Sequence, residues 1–231
     1  MTRSTVLLPL SLAALLAASP ALAQTATGGD WSFEIGTGTD NRSKNASKSG
    51  NDGYAFGSAT WESGDGLFYA GPAFQTIQSG GSNLEAELVA GYQPEAFGYQ
   101  FDFSLAYKNR LDADPGYDAE TVELTADISR SIGPARAGLQ LQYAPQAAGS
   151  TESFTWVEGE VGWAFSDRID ASVAVGRREQ DNGPDYTGWN AGVTLAMTDA
   201  IALDLRYYDT SAHADGEQYE DALVAKVAYA F

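Results

Sequence analysis

From Trp31 onward, apolar residues alternate with polar or small ones in short segments, the period-2 signature of strands with two unlike faces. Tyr99, Phe101, Phe103, Leu105 and Tyr107 interleave with Gln100, Asp102, Ser104, Ala106 and Lys108. Ala137, Leu139, Leu141 and Tyr143 do the same with Arg136, Gly138, Gln140 and Gln142, as do Trp189, Ala191, Val193 and Leu195 with Asn190, Gly192 and Thr194. Helical spacing fits none of these runs. The pattern predicts twelve strands, near residues 30–39, 54–61, 67–76, 84–92, 99–108, 120–129, 135–143, 154–165, 169–178, 186–197, 201–208 and 221–231. An even count returns both chain ends to one side, as a closed antiparallel barrel requires. The phase of the second and third segments is ambiguous, and Pro72 predicts a bulge or strand end within the third.

The connections also alternate. Turns such as Glu62–Gly66, Arg130–Pro134, Ser166–Arg168 and Thr198–Ala200 separate polar loops at Asp40–Gly53, Asn109–Ala119, Ala144–Ser153, Arg177–Asp185 and Asp209–Glu220. The stretch Ile77–Asn83 departs from this contrast. Short turns at one rim and long loops at the other are the rule for transmembrane barrels. Past the N-terminus no run of 18 apolar residues occurs, which excludes a helical membrane protein and leaves a closed barrel as the way to span lipid. A lipocalin-like barrel or a β-sandwich also alternates, but with large apolar residues inside and a charged outside. Here the polar face mixes charges with Gly, Ala, Ser and Thr. Aromatics such as Tyr92, Tyr99, Tyr107, Tyr143, Trp163, Phe165, Trp189, Tyr207, Tyr229 and Phe231 cluster toward segment ends, as interfacial girdles do.

Residues 1–23 carry one positive charge, Arg3, then an apolar run from Val6 to Ala18 and a small-residue site at Ala21-Leu22-Ala23. This is the pattern of a cleaved export signal, leaving residues 24–231 as one barrel domain. No cysteine occurs, so disulfides and thiolate metal sites are excluded. The formal charge of −18 becomes −19 when Arg3 leaves with the signal, which disfavours nucleic acid as a partner. With 12% aromatic residues, an acidic but ordered chain is expected.

The last segment, from Leu223 to Phe231, alternates and ends on Tyr229, Ala230 and Phe231. It is similar to the terminal strand by which the outer-membrane barrel assembly machinery recognises its substrates. The chain further resembles the TorF-type porin family of proteobacterial outer-membrane proteins across nearly the whole length after the signal. The matching pieces, in order, are Thr39-Asp40-Asn41-Arg42, Gly66 to Gly71, Leu84 to Tyr92, Asp185 to Val193 and Tyr208-Asp209-Thr210. In the first loop, Ser43 and Asn45 stand where the family pattern has an aromatic residue and a glycine. The resemblance implies a porin in the cell outer membrane, in contact with its lipid bilayer and passing ions or small solutes, without naming one.

Twelve strands about 4.8 Å apart and tilted by about 40° enclose a backbone cylinder roughly 20–25 Å across, narrowed by side chains and closed if a loop folds inward. The polar faces carry ten acids, Glu34, Glu85, Glu87, Asp102, Glu123, Asp127, Glu158, Glu160, Asp170 and Asp204, against five bases, Lys108, Arg136, Arg178, Arg206 and Lys226. This excess predicts a modest cation preference, with Glu85 and Glu87 expected to form a shared acidic patch. Other classes have thinner support. His213 and Ser211 share a polar loop with no orienting third group, so no catalytic residue is assigned. The acidic loops Asp112–Asp118 and Asp181–Asp185 lack a calcium-loop pattern and read as turns, so neither a metal nor a cofactor is expected. A closed structural or adhesion barrel without conductance has the same sequence signature.

Overall fold

The computed structural model describes residues 29–231, so the export signal expected over residues 1–23 lies outside the described part. Twelve strands carry the fold: Asp30–Gly38 (β1), Tyr54–Glu62 (β2), Phe68–Ser79 (β3), Ser82–Tyr92 (β4), Tyr99–Leu111 (β5), Glu120–Ile132 (β6), Ala135–Ala147 (β7), Glu152–Ser166 (β8), Ile169–Gln180 (β9), Tyr186–Ala196 (β10), Ile201–Thr210 (β11) and Ala222–Ala230 (β12). Each pairs antiparallel with its neighbours in sequence, and β1 pairs with β12 from Glu34↔Ala230 to Gly38↔Lys226. The sheet therefore closes. Phe231 completes the seam, its backbone exchanging two 3.0 Å hydrogen bonds with Phe33.

The pairing register decides which face is inside. In β5, Phe103 and Leu105 are about half exposed on the outer surface while Asp102 points inward and is buried. Along the barrel most outer positions are Leu, Val, Ile, Ala and aromatic residues, and the polar face lines the lumen. This is the inverse of a soluble barrel, and such a surface suits a hydrocarbon surrounding. Aromatics ring both ends of the outer face. Trp31, Phe33, Phe68, Tyr92, Phe103, Trp163, Phe165, Tyr229 and Phe231 lie toward the rim of short turns, and Tyr107, Tyr143, Trp189 and Tyr207 toward the rim of loops.

Three sequence expectations are corrected. Pro72 makes neither a bulge nor a strand end: β3 runs through it in register with Leu88 of β4, and on the other side the pairing with β2 lapses at Pro72 without a shift. A missing N–H removes one ladder bond, and the flanking pairs keep the register. Second, several strands extend past the expected loop boundaries, to Leu111, Ala147 and Gln180, so the connection after Ala147 is short and only Gly80 and Gly81 join β3 to β4. Third, the ambiguous phase of β2 and β3 resolves with aromatics inside: Tyr54 and Phe56 of β2 and Tyr69 of β3 face the lumen, and Ala55, Gly57 and Ala59 face out.

Leu141, midway along β7 on the outer face, tests the orientation. Leu141→Arg is expected to cost roughly 2–4 kcal/mol of unfolding free energy in lipid vesicles, while an Arg at the exposed loop residue Asn182 changes it by less than about 0.5 kcal/mol. Urea unfolding of the vesicle-inserted protein measures both.

Candidate functional site

The loop between β1 and β2, residues 39–53 (L1), enters the lumen instead of standing in solvent. Its sequence makes a small hairpin, with Arg42–Ser43 paired to Ala46–Ser47 around a two-residue turn at Lys44 and Asn45. Both turn residues have positive φ, +53° and +66°, as tight hairpin turns require, and Asn tolerates that conformation where a glycine is usual. Asp40 holds the base of the hairpin. Its Oδ1 accepts hydrogen bonds from the hydroxyls of Ser47 (2.6 Å) and Ser49 (2.9 Å), and its Oδ2 pairs with Arg42.

The tip reaches across to the far wall. Lys44 donates to Glu123 of β6 at 3.2 Å, and Lys48 pairs with Glu85 of β4. Tyr186 donates from its hydroxyl to the Lys44 carbonyl at 2.8 Å, and Asn190 Nδ2 donates to Asn45 Oδ1 at 2.9 Å. Gly188 lies between these two receptors on β10, and a Cβ there would stand 2.8 Å from Asn45. Ala46 packs in the main buried apolar cluster with Phe154, Trp156, Tyr186 and Tyr219. On the near side, Asn41 Nδ2 donates to Gln75 Oε1 and to the Thr76 carbonyl, and Arg42 donates to the carbonyl of Glu220 at 2.7 Å. That last bond ties L1 to the loop between β11 and β12 (L6), whose Tyr219 carbonyl accepts from Thr210 Oγ1 at 2.6 Å. Burial pulls the ammonium of Lys44 down to about 8 and that of Lys48 downward, against the opposing pull of Glu123 and Glu85.

Four of the five short pieces that carry the family resemblance thus meet around L1, and Gly66 to Gly71 lies at the rim of short turns. Asp40, Asn41 and Arg42 form the hairpin base, Glu85 receives Lys48, Tyr186, Gly188 and Asn190 receive the tip, and Thr210 anchors L6.

All fifteen charges singled out in the sequence share the inward face by register. Their surroundings differ. Glu85 and Glu87 do not form an open acidic patch: Glu85 is enclosed by Lys48 and, at 3.5 Å, by Arg110, and Glu87 lies 3.9 Å from Lys108. Glu123 is bonded by both Lys44 and Lys108, and Asp204 pairs with Arg206 at 3.3 Å. Asp102 accepts from Tyr69 and Asp127 from Gln140. Arg178 stacks over Phe154, 4.4 Å from the ring centre. Among the described residues Glu34, Glu158, Glu160, Asp170, Arg136 and Lys226 make no ion pair, and Glu158 and Glu160 make no side-chain hydrogen bond either. Tyr229 and Phe231 stack at the outer seam, 5.3 Å apart, and Phe231 on Phe33 at 5.6 Å.

Beneath L1 lies a cavity of about 240 Å³, lined by Arg42, Lys44 and Lys48 from the loop and by wall residues that include Glu34, Tyr54, Phe56, Tyr69, Lys108, Trp156, Glu158, Glu160, Arg206, Tyr208 and Lys226. Charge divides along the barrel axis. Within three residues of the loop end, and on L1, the bases Arg42, Lys44, Lys48, Lys108, Arg110 and Arg178 outnumber the acids Asp40, Asp52, Glu85 and Glu123. Four or more residues down, the acids Glu34, Glu87, Asp102, Asp127, Glu158, Glu160, Asp170 and Asp204 outnumber the bases Arg136, Arg206 and Lys226. The three loop cations and Arg110 escape a sequence reading because they sit in apparent loop. Only their number in one segment, three of the chain's 13 Lys and Arg within Arg42–Lys48, signals a polyacidic receptor.

Elsewhere, His213 Nε2 lies 2.7 Å from Asp209 Oδ1, but Ser211 Oγ accepts the Thr187 N–H, and no hydrogen bond joins Ser211 to His213 among the described residues. Asp118 and Asp181 accept from Gln146 and Ser153. Among the described residues no group of three or more His, Asp or Glu is arranged to hold a metal ion.

The model of a bacterial protein family of unknown function, Gcw_chp, matches residues 23–230. No curated protein matches the sequence. Among solved structures, the KdgM porin is similar over 87% of this chain and 99% of its own, with a TM-score of 0.62 and 7% identity. A second KdgM porin structure, in complex with disordered oligogalacturonate, gives 0.63 at 8% identity over the same shares. An outer-membrane channel from Pseudomonas putida F1 gives 0.57 at 10% identity, over 92% of this chain and 99% of its own. At these identities the likeness establishes the fold: a closed twelve-stranded antiparallel barrel of the kind found in outer-membrane porins.

The docking of L1 can be tested through its own cations. In the native protein trypsin is expected to cut slowly after Arg42 and Lys44, whose side chains are 1% and 8% exposed. Asp40→Ala removes two hydroxyl bonds and an ion pair from the hairpin base and is expected to speed these cuts by about tenfold or more, a loss of about 1.4 kcal/mol in local stability. Mass spectrometry of the fragments reads the rates, and unchanged cutting would contradict the docking.

Proposed function

The chain belongs to this bacterial family of unknown function, and we propose that it is a porin-like channel of the cell outer membrane, passing ions or small hydrophilic solutes by passive diffusion with a weak preference for cations. The observation that carries this reading is the cavity lined by charged side chains inside a barrel whose outer face is apolar. Channels and porins with the same fold support it, as does the resemblance to the TorF-type porin family. On this reading the outer-membrane bilayer covers the apolar band, the barrel assembly machinery engages the last strand through Tyr229 and Phe231, and the protein is not an enzyme. Oligogalacturonate, bound by a KdgM porin, is a polyanion. Glu34, Glu158 and Glu160, which face this cavity without an ion pair among the described residues, disfavour such a solute and favour small cations.

A second reading has its own observation: Arg42 and Asn51 bond L1 to L6 carbonyls across the loop end, which fits a sealed structural barrel. Planar-bilayer recording separates the two. A channel gives discrete conductance steps, and a KCl gradient gives a reversal potential of cation sign. Glu158→Gln combined with Glu160→Gln is expected to lower the cation-to-anion permeability ratio by about twofold. Anion preference of the native protein would overturn the cation assignment, and silence in the native protein with steps after shortening of L1 would establish the sealed barrel.

A further inference from the structure

Resting on the channel reading, we infer that the pore rectifies: at low salt it carries more current at one polarity than at the other, because the fixed charge of its lumen changes sign along the axis. The two zones face one cavity. Lys44, Lys48 and Lys108 line it from the loop side, and Glu34, Glu158 and Glu160 line it with no ion pair among the described residues. In the upper zone Glu85 and Glu123 are each matched by two cations, so these two wall acids are fully compensated.

Spacing makes the two zones act together. Lys108 lies six residues from Asp102 along β5, and Glu123 four residues from Asp127 along β6. At about 3.3 Å per residue and a tilt of about 40°, these steps put the zones roughly 10–15 Å apart. The Debye length is about 10 Å at 0.1 M salt and about 3 Å at 1 M. An ion between the zones at 0.1 M therefore feels both, and low-dielectric walls focus the fields. The acids of the loops, such as Asp112, Asp181 and Glu217, stand exposed beyond the basic zone, where screening by bulk salt is greatest.

Such a junction passes current unequally. Cations are the majority carriers beside Glu158 and Glu160, and anions beside the lysines. A voltage positive on the turn side drives both toward the junction and fills it; the opposite voltage draws both away and depletes it. The higher current is therefore expected with the turn side positive.

Single-channel current–voltage curves test this directly. The chain has no cysteine, so Asn182→Cys in an exposed loop gives one thiol, and a bulky membrane-impermeant reagent added to one chamber reports which way each channel faces. At 0.1 M KCl the ratio of currents at equal and opposite voltages is expected to be about 1.5 to 2, larger with the turn side positive, and to approach one at 1 M KCl as screening removes the field. Glu158→Gln with Glu160→Gln is expected to bring the 0.1 M ratio toward one. Symmetric currents at 0.1 M, the opposite polarity, or an asymmetry that survives unchanged at 1 M or in the double variant would overturn the inference while leaving the channel standing. No current at any salt would remove the channel reading itself, and the inference with it.

Discussion

Everything in this molecule follows from the seam between β1 and β12. An open sheet would present a row of unpaired N–H and C=O groups, which lipid cannot satisfy at any tolerable cost. The antiparallel register from Glu34↔Ala230 to Gly38↔Lys226, finished by the two bonds between Phe33 and Phe231, removes that edge. Once the sheet closes, its two faces see different media. The face with Val173, Leu141 and Leu105 turns outward, and the face with Glu123, Asp127 and Glu158 is confined to a narrow interior.

That confinement creates an electrostatic problem which L1 helps to solve. Acids on the loop-side wall would repel one another and lose part of their hydration on burial. The hairpin brings Lys44 to Glu123 and Lys48 to Glu85, while the strands contribute Lys108 and Arg110 to the same acids. The hairpin is itself polar and is bonded from several sides, by Asp40 at its base, by Tyr186 and Asn190 at its tip and by L6 above, which leaves Asn45 Nδ2 buried without a partner among the described residues. Compensation is local, however. Among the described residues no cation pairs with Glu158 or Glu160, whose flanking positions are Gln140, Gly138, Ala174 and Gly176, and both acids face the cavity.

The barrel was legible because its strands have two media to match. Along β5 and β7 every second side chain is apolar, and the alternation alone gives strand and face. It fails in β2 and β3, where Tyr54, Phe56 and Tyr69 fill lumen space with large rings and Ala55, Gly57 and Ala59 face outward, so residue size no longer reports the face. The inward charges of the strands were legible for the same reason as the strands. Their partners were not, since pairing depends on a loop whose path no periodicity describes. Lys44 and Lys48 look like solvated loop residues until the receptors Glu123 and Glu85 are placed opposite them. Once they are, Glu85 ceases to be an open acid, and Glu158 and Glu160 take that role.

The central claim is that an apolar face meets lipid while a charged, water-reachable cavity lies within. Single cysteines placed one at a time along β8 of this cysteine-free chain, in vesicles and treated with a membrane-impermeant thiol reagent, test it most directly. Labelling is expected at Glu158→Cys and Glu160→Cys and none at Val157→Cys and Val161→Cys. Labelling of the valine positions with protection of the glutamate positions would contradict it.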